Sequence, residues 1–122
     1  APATDRIVLP VRSAFATADG YYATALHELS HWTGHASRLN RQMSGRFGSE
    51  DYAFEELVAE ISSAFLCGHC AIQGQLQHSS YIASWIKALN EDHRAIFRAA
   101  SQAQHAADYL LGRAPAAQSL AA

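Results

Sequence analysis

Between Tyr21 and Trp32 the chain holds neither proline nor glycine, and inside that stretch two histidines stand four apart, in His27-Glu28-Leu29-Ser30-His31. On an α-helix, four residues advance about 6 Å along the axis and return to the same face. The flanks favour a helix. Asp19-Gly20 is a turn signal with Asp19 as a candidate cap, and Tyr22, Ala25, Leu26 and Leu29 recur at helical spacing. The pattern predicts a helix over roughly 20–34, with Gly34 as its stop signal. Two imidazoles so placed can grip one Zn²⁺. Glu28 follows the first of them and can reach a water on the metal as general base. The competing reading is two core histidines beside a surface glutamate.

With 122 residues, 49% of them hydrophobic and 16% charged, the sequence suits one compact domain spanning 1–122. No apolar run is long enough for a membrane helix. The N-terminus lacks a basic region followed by an apolar stretch, so no signal peptide is expected. The abrupt opening at Ala1-Pro2-Ala3-Thr4 suits a piece of a longer protein. A formal net charge of −2 without any polybasic arm argues against strong nucleic-acid binding by phosphate neutralisation. The local cluster Arg38, Arg41, Arg46 reads as a solvated loop or the rim of a substrate cleft. In Cys67-Gly68-His69-Cys70 the two cysteines follow a helical pattern and so sit near a helix C-terminus. The dipole there raises a thiol pKa, which favours a packing role over redox chemistry.

Taken in order, Ile7-Val8-Leu9 is a short β-branched run before Pro10 and predicts a small strand. Residues 35–49, with Gly45, Gly48 and three arginines, predict a loop bordering a cleft. A second helix is expected over 50–67, with Ser49 as cap and Glu50 and Asp51 in its first turn. Its apolar face would comprise Ala53, Phe54, Leu57, Val58, Ile61, Ala64 and Phe65. A third helix is expected over about 79–89, capped by Ser79 or Ser80, and a fourth over 91–112, ended by Gly112.

A catalytic zinc wants three protein ligands and an open position. Glu56, 25 residues after His31 in the sequence, is the first choice for the third. Glu60, one turn further on, can accept a hydrogen bond from His27 or His31 and fix its tautomer. Two carboxylates at i and i+4 on an otherwise apolar helix are costly to bury without such a task. Glu55 competes with Glu56 for the ligand position. His35 follows Gly34 two positions too early for the longer His-Glu-x-x-His-x-x-Gly-x-x-His motif. On a continuous helix it would lie about 12 Å along the axis from His27, so a rim or capping role suits it better. His69, His78, His93, His105, Tyr52 and Tyr81 remain candidate donors to a transition state.

The joint pattern of Tyr21 to His35, Ser37-Arg38-Leu39-Asn40-Arg41 and Tyr52-Ala53-Phe54-Glu55-Glu56-Leu57-Val58-Ala59-Glu60 resembles the C-terminal zincin-like metallopeptidase domain of ArdC-type antirestriction proteins. Related domains occur in TraC-type conjugative primases. The resemblance covers about residues 5–112. It implies an α+β, mainly helical zincin core with a small N-terminal β element and about four helices. It also implies His27 and His31 as Zn²⁺ ligands, Glu28 as catalytic base and a third ligand within Glu55 to Glu60. Gluzincins such as thermolysin carry Glu-x-x-x-Asp there, with the first carboxylate on zinc and the second on a histidine. Glu56 and Glu60 match that spacing, with Glu in place of Asp.

The resemblance further implies a peptide or protein substrate, a cytoplasmic site of action and a link to antirestriction during mobile-element transfer. Single-stranded DNA would be bound through an N-terminal domain that this chain has no room for. A non-catalytic, zinc-stabilised protein-interaction module is the alternative to a peptidase.

Overall fold

The computed structural model describes residues 4–41, 50–73 and 82–113. A short 3-10 turn at Arg12–Ala14 precedes four helices: α1 (Ala18–Trp32), α2 (Glu50–His69), α3 (Ile82–Glu91) and α4 (Ala95–Leu110). The expected strand at 7–9 is absent, and the described residues contain no strand at all. Among the described residues no strand pairs with this run, and Val8 is 77% exposed. The candidate caps Ser49, Ser79 and Ser80 lie outside the described residues.

Helix α1 starts at Thr17, not Asp19. The Thr17 hydroxyl accepts the Gly20 N–H at 3.0 Å, satisfying one of the free donors of the first turn. Asp19 instead accepts the Gln73 N–H at 2.9 Å, tying the start of α1 to the segment after α2. At the other end the Thr33 hydroxyl donates to the Ser30 carbonyl at 2.6 Å as the chain leaves the helix, one residue before Gly34.

Helix α2 is the axis of the fold, packed against α1 on one flank and α4 on the other. The apolar pattern predicts only part of its buried surface: Ala53 and Val58 are buried, with Phe54, Leu57 and Ile61 packed beside them. Ala64 and Phe65 face solvent, whereas Glu55, Glu56, Ser62 and Ser63 are buried. The α1 contact explains this. Ala23, His27 and Ser30, spaced along one face of α1, are its buried residues. The Ser30 hydroxyl meets the Ser62 hydroxyl at 2.9 Å, and Ser63 donates to the Ala23 carbonyl at 3.3 Å. The α1–α2 interface is thus polar and hydrogen-bonded.

The apolar core lies on the other flank, where Val58 packs with Ala99 and Ala103 and is bordered by Phe54, Leu57 and Ile61. Helix α4 buries a row of alanines, Ala95, Ala99, Ala103, Ala106 and Ala107, while the larger Ile96 and Phe97 point outward. Small side chains at a helix crossing let the axes approach closely. Trp85 of α3 closes the core, donating its indole N–H to the Ala53 carbonyl at 2.9 Å. Between α3 and α4, Asp92 accepts the Arg94 N–H at 3.0 Å and pairs with Arg98 at 2.8 Å, which breaks the expected 91–112 helix before Ala95.

Helices α2 and α4 end in the same way on different residues. After α4, Arg113 donates to the Asp108 carbonyl and Gly112 to the Tyr109 carbonyl, with Gly112 at φ 72°. After α2, Ile72 donates to the Cys67 carbonyl and Ala71 to the Gly68 carbonyl, with Ala71 at φ 57°. Both are Schellman turns, and the left-handed position favours glycine. Ala71→Gly is therefore expected to raise stability by about 1 kcal/mol, and Gly112→Ala to lower it by a similar amount. Urea denaturation of both variants checks the pair; equal signs would contradict this account of the turns. The same stretch holds both free cysteines, Cys67 buried and Cys70 exposed. Burial pushes the Cys67 thiol up, away from the reactive thiolate.

Candidate metal centre

Histidines 27 and 31 project from consecutive turns of α1 onto α2. Their Nε2 atoms face each other at 3.2 Å, and the Glu56 carboxylate lies between the rings, 3.3 Å from His27 Nε2 and 3.0 Å from His31 Nε2. One ligand atom from each of these three residues falls within 4.8 Å of the others. The far side of each ring meets another carboxylate of α2. His27 Nδ1 lies 3.0 Å from Glu60 Oε1, and His31 Nδ1 lies 2.8 Å from Glu55 Oε2. An ionised carboxylate only accepts hydrogen bonds, so Glu55 assigns the proton of His31 to Nδ1, and Glu60, 3.0 Å from His27 Nδ1, favours the same tautomer there. A neutral ring then offers only a lone pair at Nε2.

That arrangement tests the fit of a cation. Two lone pairs and the anionic oxygens of Glu56 converge on one point inside the protein, a mutual repulsion relieved only by positive charge among them. Two imidazole nitrogens at tetrahedral angles on one Zn²⁺, each about 2.0–2.1 Å from it, stand about 3.3 Å apart. The observed separation is 3.2 Å. The donor set, two imidazoles and one carboxylate, suits zinc among the common divalent ions.

Without a metal, protons take that place. Burial works against a charged ring, yet the hydrogen bonds to Glu55 and Glu56 outweigh it and raise His31 to about 9; His27 is raised as well, against burial, by Glu56 and Glu60. Burial likewise disfavours the Glu55 carboxylate, but His31 and Arg41 more than compensate and hold its pKa below the usual value. For His31 the folded value lies above the unfolded 6.5, so its stabilisation is complete below about 6.5 and is lost as pH rises through 9. Glu55 works in the opposite sense, losing its contribution as pH falls below its ordinary 4.5. Metal-free protein is therefore expected to lose up to about 3 kcal/mol between pH 6.5 and 10, while metal affinity rises over the same window as protons leave. Urea titrations in chelator at pH 6.5, 8 and 10 measure this; flat stability would contradict it.

Of the residues the sequence singles out, Glu56 is brought together with His27 and His31, and Glu60 lies beside His27. Glu55, a rival for the ligand position, faces Nδ1 of His31 instead. Glu28 is half-buried on α1, about 100° round the helix from His27. His35 stays out of the cluster: its Nδ1 contacts the Ser37 hydroxyl at 2.8 Å and accepts the Ser37 N–H at 3.1 Å, shaping the turn after α1. Tyr52 packs beside Ala53 and Trp85, His69 and His93 are exposed, and His78 and Tyr81 lie outside the described residues. His105 lines a separate cavity of about 660 Å³ with Leu39, Asn40, Arg41 and the α4 residues Phe97 and Arg98.

The arginine cluster, expected as a solvated loop or rim, is divided. Arg38 stacks on Trp32, 3.8 Å from the ring centre, and pairs with Asp5. Arg46 lies outside the described residues. Arg41 is buried, with 5% of its side chain exposed, against Glu55. No local pattern in the sequence marks that pairing, because Glu55 lies 14 positions from Arg41 on another element.

A family model described as zincin-like metallopeptidase matches residues 1–102. A DNA primase TraC of Escherichia coli is 55% identical over 111 residues, which cover 90% of this chain but only 10% of that protein. Two crystal structures of the antirestriction protein ArdC from plasmid R388 share the fold. The metal-free form aligns with TM-score 0.80 at 46% identity over 91% of this chain and 40% of that one. The Mn(II)-bound form aligns with TM-score 0.83 at 45% identity over 92% and 42%. The chain thus spans a small part of TraC and less than half of ArdC. A fold and sequence match of this extent, with the His-Glu-x-x-His helix set against a carboxylate-bearing helix, makes the chain a member of the zincin-like metallopeptidase family.

Proposed function

We propose that the chain is a zinc-dependent hydrolase domain of the peptidase type, with His27, His31 and Glu56 as metal ligands and Glu28 as the catalytic base. The observation that carries this reading is the convergence of the His27 and His31 Nε2 atoms and the buried Glu56 carboxylate on one point. A divalent ion held there would polarise a substrate carbonyl and acidify a water, chemistry that suits peptide hydrolysis. Glu28, next to the first ligand on the same helix, accepts the proton from the attacking water and returns it to the leaving amine. Glu60 and Glu55 keep the Nδ1 protons of His27 and His31 in place, so that both Nε2 atoms stay available. The relatives' names, a DNA primase and a plasmid antirestriction protein, support a setting of antirestriction on a mobile element for this domain. The described residues contain no helix long and apolar enough to cross a membrane.

A second reading has its own support. The relatives described above are named for DNA priming and antirestriction, not for proteolysis. A metal-stabilised module that docks on a protein partner would use the same ligands without needing Glu28. The Glu28→Gln variant separates the two. Under the first reading it retains zinc and loses about 10²–10⁴-fold of any hydrolytic rate on a peptide library. Under the second, antirestriction in a transfer assay with the full-length protein is unchanged by the substitution.

A further inference from the structure

Arg41 belongs to no helix, yet its guanidinium bonds Glu55, Thr33 and Ser30 beside the metal cluster. Its Nε meets Glu55 Oε1 at 2.9 Å and its Nη2 meets Glu55 Oε2 at 3.0 Å, a two-pronged grip on one carboxylate. The remaining donors reach α1: Nη1 to the Thr33 hydroxyl at 2.8 Å and Nη2 to the Ser30 carbonyl at 2.7 Å. Glu55 Oε2 is shared between Arg41 and His31 Nδ1. The turn after α1 aims the side chain. Leu39 donates to the Thr33 carbonyl, Arg41 to the Gly34 carbonyl, and Asn40 adopts φ 52°, a conformation that asparagine tolerates well.

We propose that Arg41 is a positioning residue for the metal site: by clamping Glu55 it fixes the ring of His31 with Nε2 turned toward Glu56. The inference rests on the metal-site reading above. A carboxylate on a flexible two-carbon stem can swing between rotamers. Gripped at both oxygens by a planar guanidinium that is itself bonded to Ser30 of α1 and to Thr33 at its C-cap, it has one place to be. His31 is then oriented from a segment outside the zinc-binding motif. Both orienting carboxylates come from α2, and Glu55 is in turn held by Arg41 from the turn after α1.

The test compares wild type, Arg41→Ala, Arg41→Lys and Glu55→Gln by calorimetric titration with Zn²⁺ and by proton NMR of the imidazole N–H groups. The expected result is a Zn²⁺ affinity about 10–100-fold weaker in Arg41→Ala, with partial recovery in Arg41→Lys, which keeps the charge but not the fork. The hydrogen-bonded Nδ1–H signal of His31 should disappear into exchange while that of His27 persists. Affinity within twofold of wild type and an unchanged His31 signal would overturn the proposal. So would loss of both histidine signals together, which marks Arg41 as a general structural support. If Arg41→Ala does not fold, Arg41→Lys and Glu55→Gln carry the same comparison. Failure of wild type to bind Zn²⁺ would sink the metal reading, and the selective loss or retention of the His31 proton in metal-free protein would still decide what Arg41 does.

Discussion

Replacing Glu56 by alanine is expected to remove tight metal binding altogether while leaving the four helices in place. Glu56 is the carboxylate whose oxygens face both Nε2 atoms, at 3.0 and 3.3 Å, and it is buried. Two histidines alone leave a divalent ion short of a protein ligand and of the negative charge that offsets its own desolvation. The loss should exceed the about 10–100-fold that an outer partner such as Glu60 costs when changed to glutamine. Competition with a chromophoric chelator orders the variants: wild type, then Glu60→Gln, then Glu56→Ala. If Glu60→Gln proved the worse of the two, the ligand and the orienting carboxylate would have to exchange roles.

The second large effect is expected far from the chemistry. Ala103 is fully buried in the α4 face that meets Val58 of α2. A leucine there adds three carbons where the helices are already in contact, so the axes must separate or the side chain must leave its rotamer. Such overpacking costs typically about 1–3 kcal/mol and sometimes more, against a total stability of about 5–15 kcal/mol for a domain. Because α2 carries all three carboxylates, displacing it should also weaken Zn²⁺ binding. Phe97→Ala, three-quarters exposed on the same helix, is the control and should change stability by no more than about 0.5 kcal/mol. Thermal melts and metal titrations of both variants check the claim. An Ala103→Leu protein as stable as wild type would mean that the α2–α4 contact has slack.

The parts of this structure that were legible in the sequence are those with a local cause. The spacing of His27 and His31 could place them together only on a helix. Gly112 ended α4 because the turn there requires a left-handed residue. Glu56 and Glu60 stood out as carboxylates in an apolar run. What was not legible depends on pairing across the fold. The Ile7-Val8-Leu9 run has strand character, but no strand pairs with it among the described residues. Helix α2 reads as amphipathic with Ala64 and Phe65 inward, yet the polar face of α1 turns it so that Ser62, Ser63 and the glutamates are buried. Arg41 looked like a surface arginine because its partner, Glu55, lies 14 positions away on another element.

Zinc X-ray absorption spectroscopy on the reconstituted wild-type domain, with metal content measured on the same sample, tests the proposed centre most directly. The expected result is one zinc per chain, bound by two imidazoles and by oxygen donors, with no sulfur contribution. No retained metal after reconstitution would contradict the site outright. Sulfur in the coordination shell would do so as well, since it would move the ion to Cys67 and Cys70 and leave His27, His31 and Glu56 as a buried polar cluster.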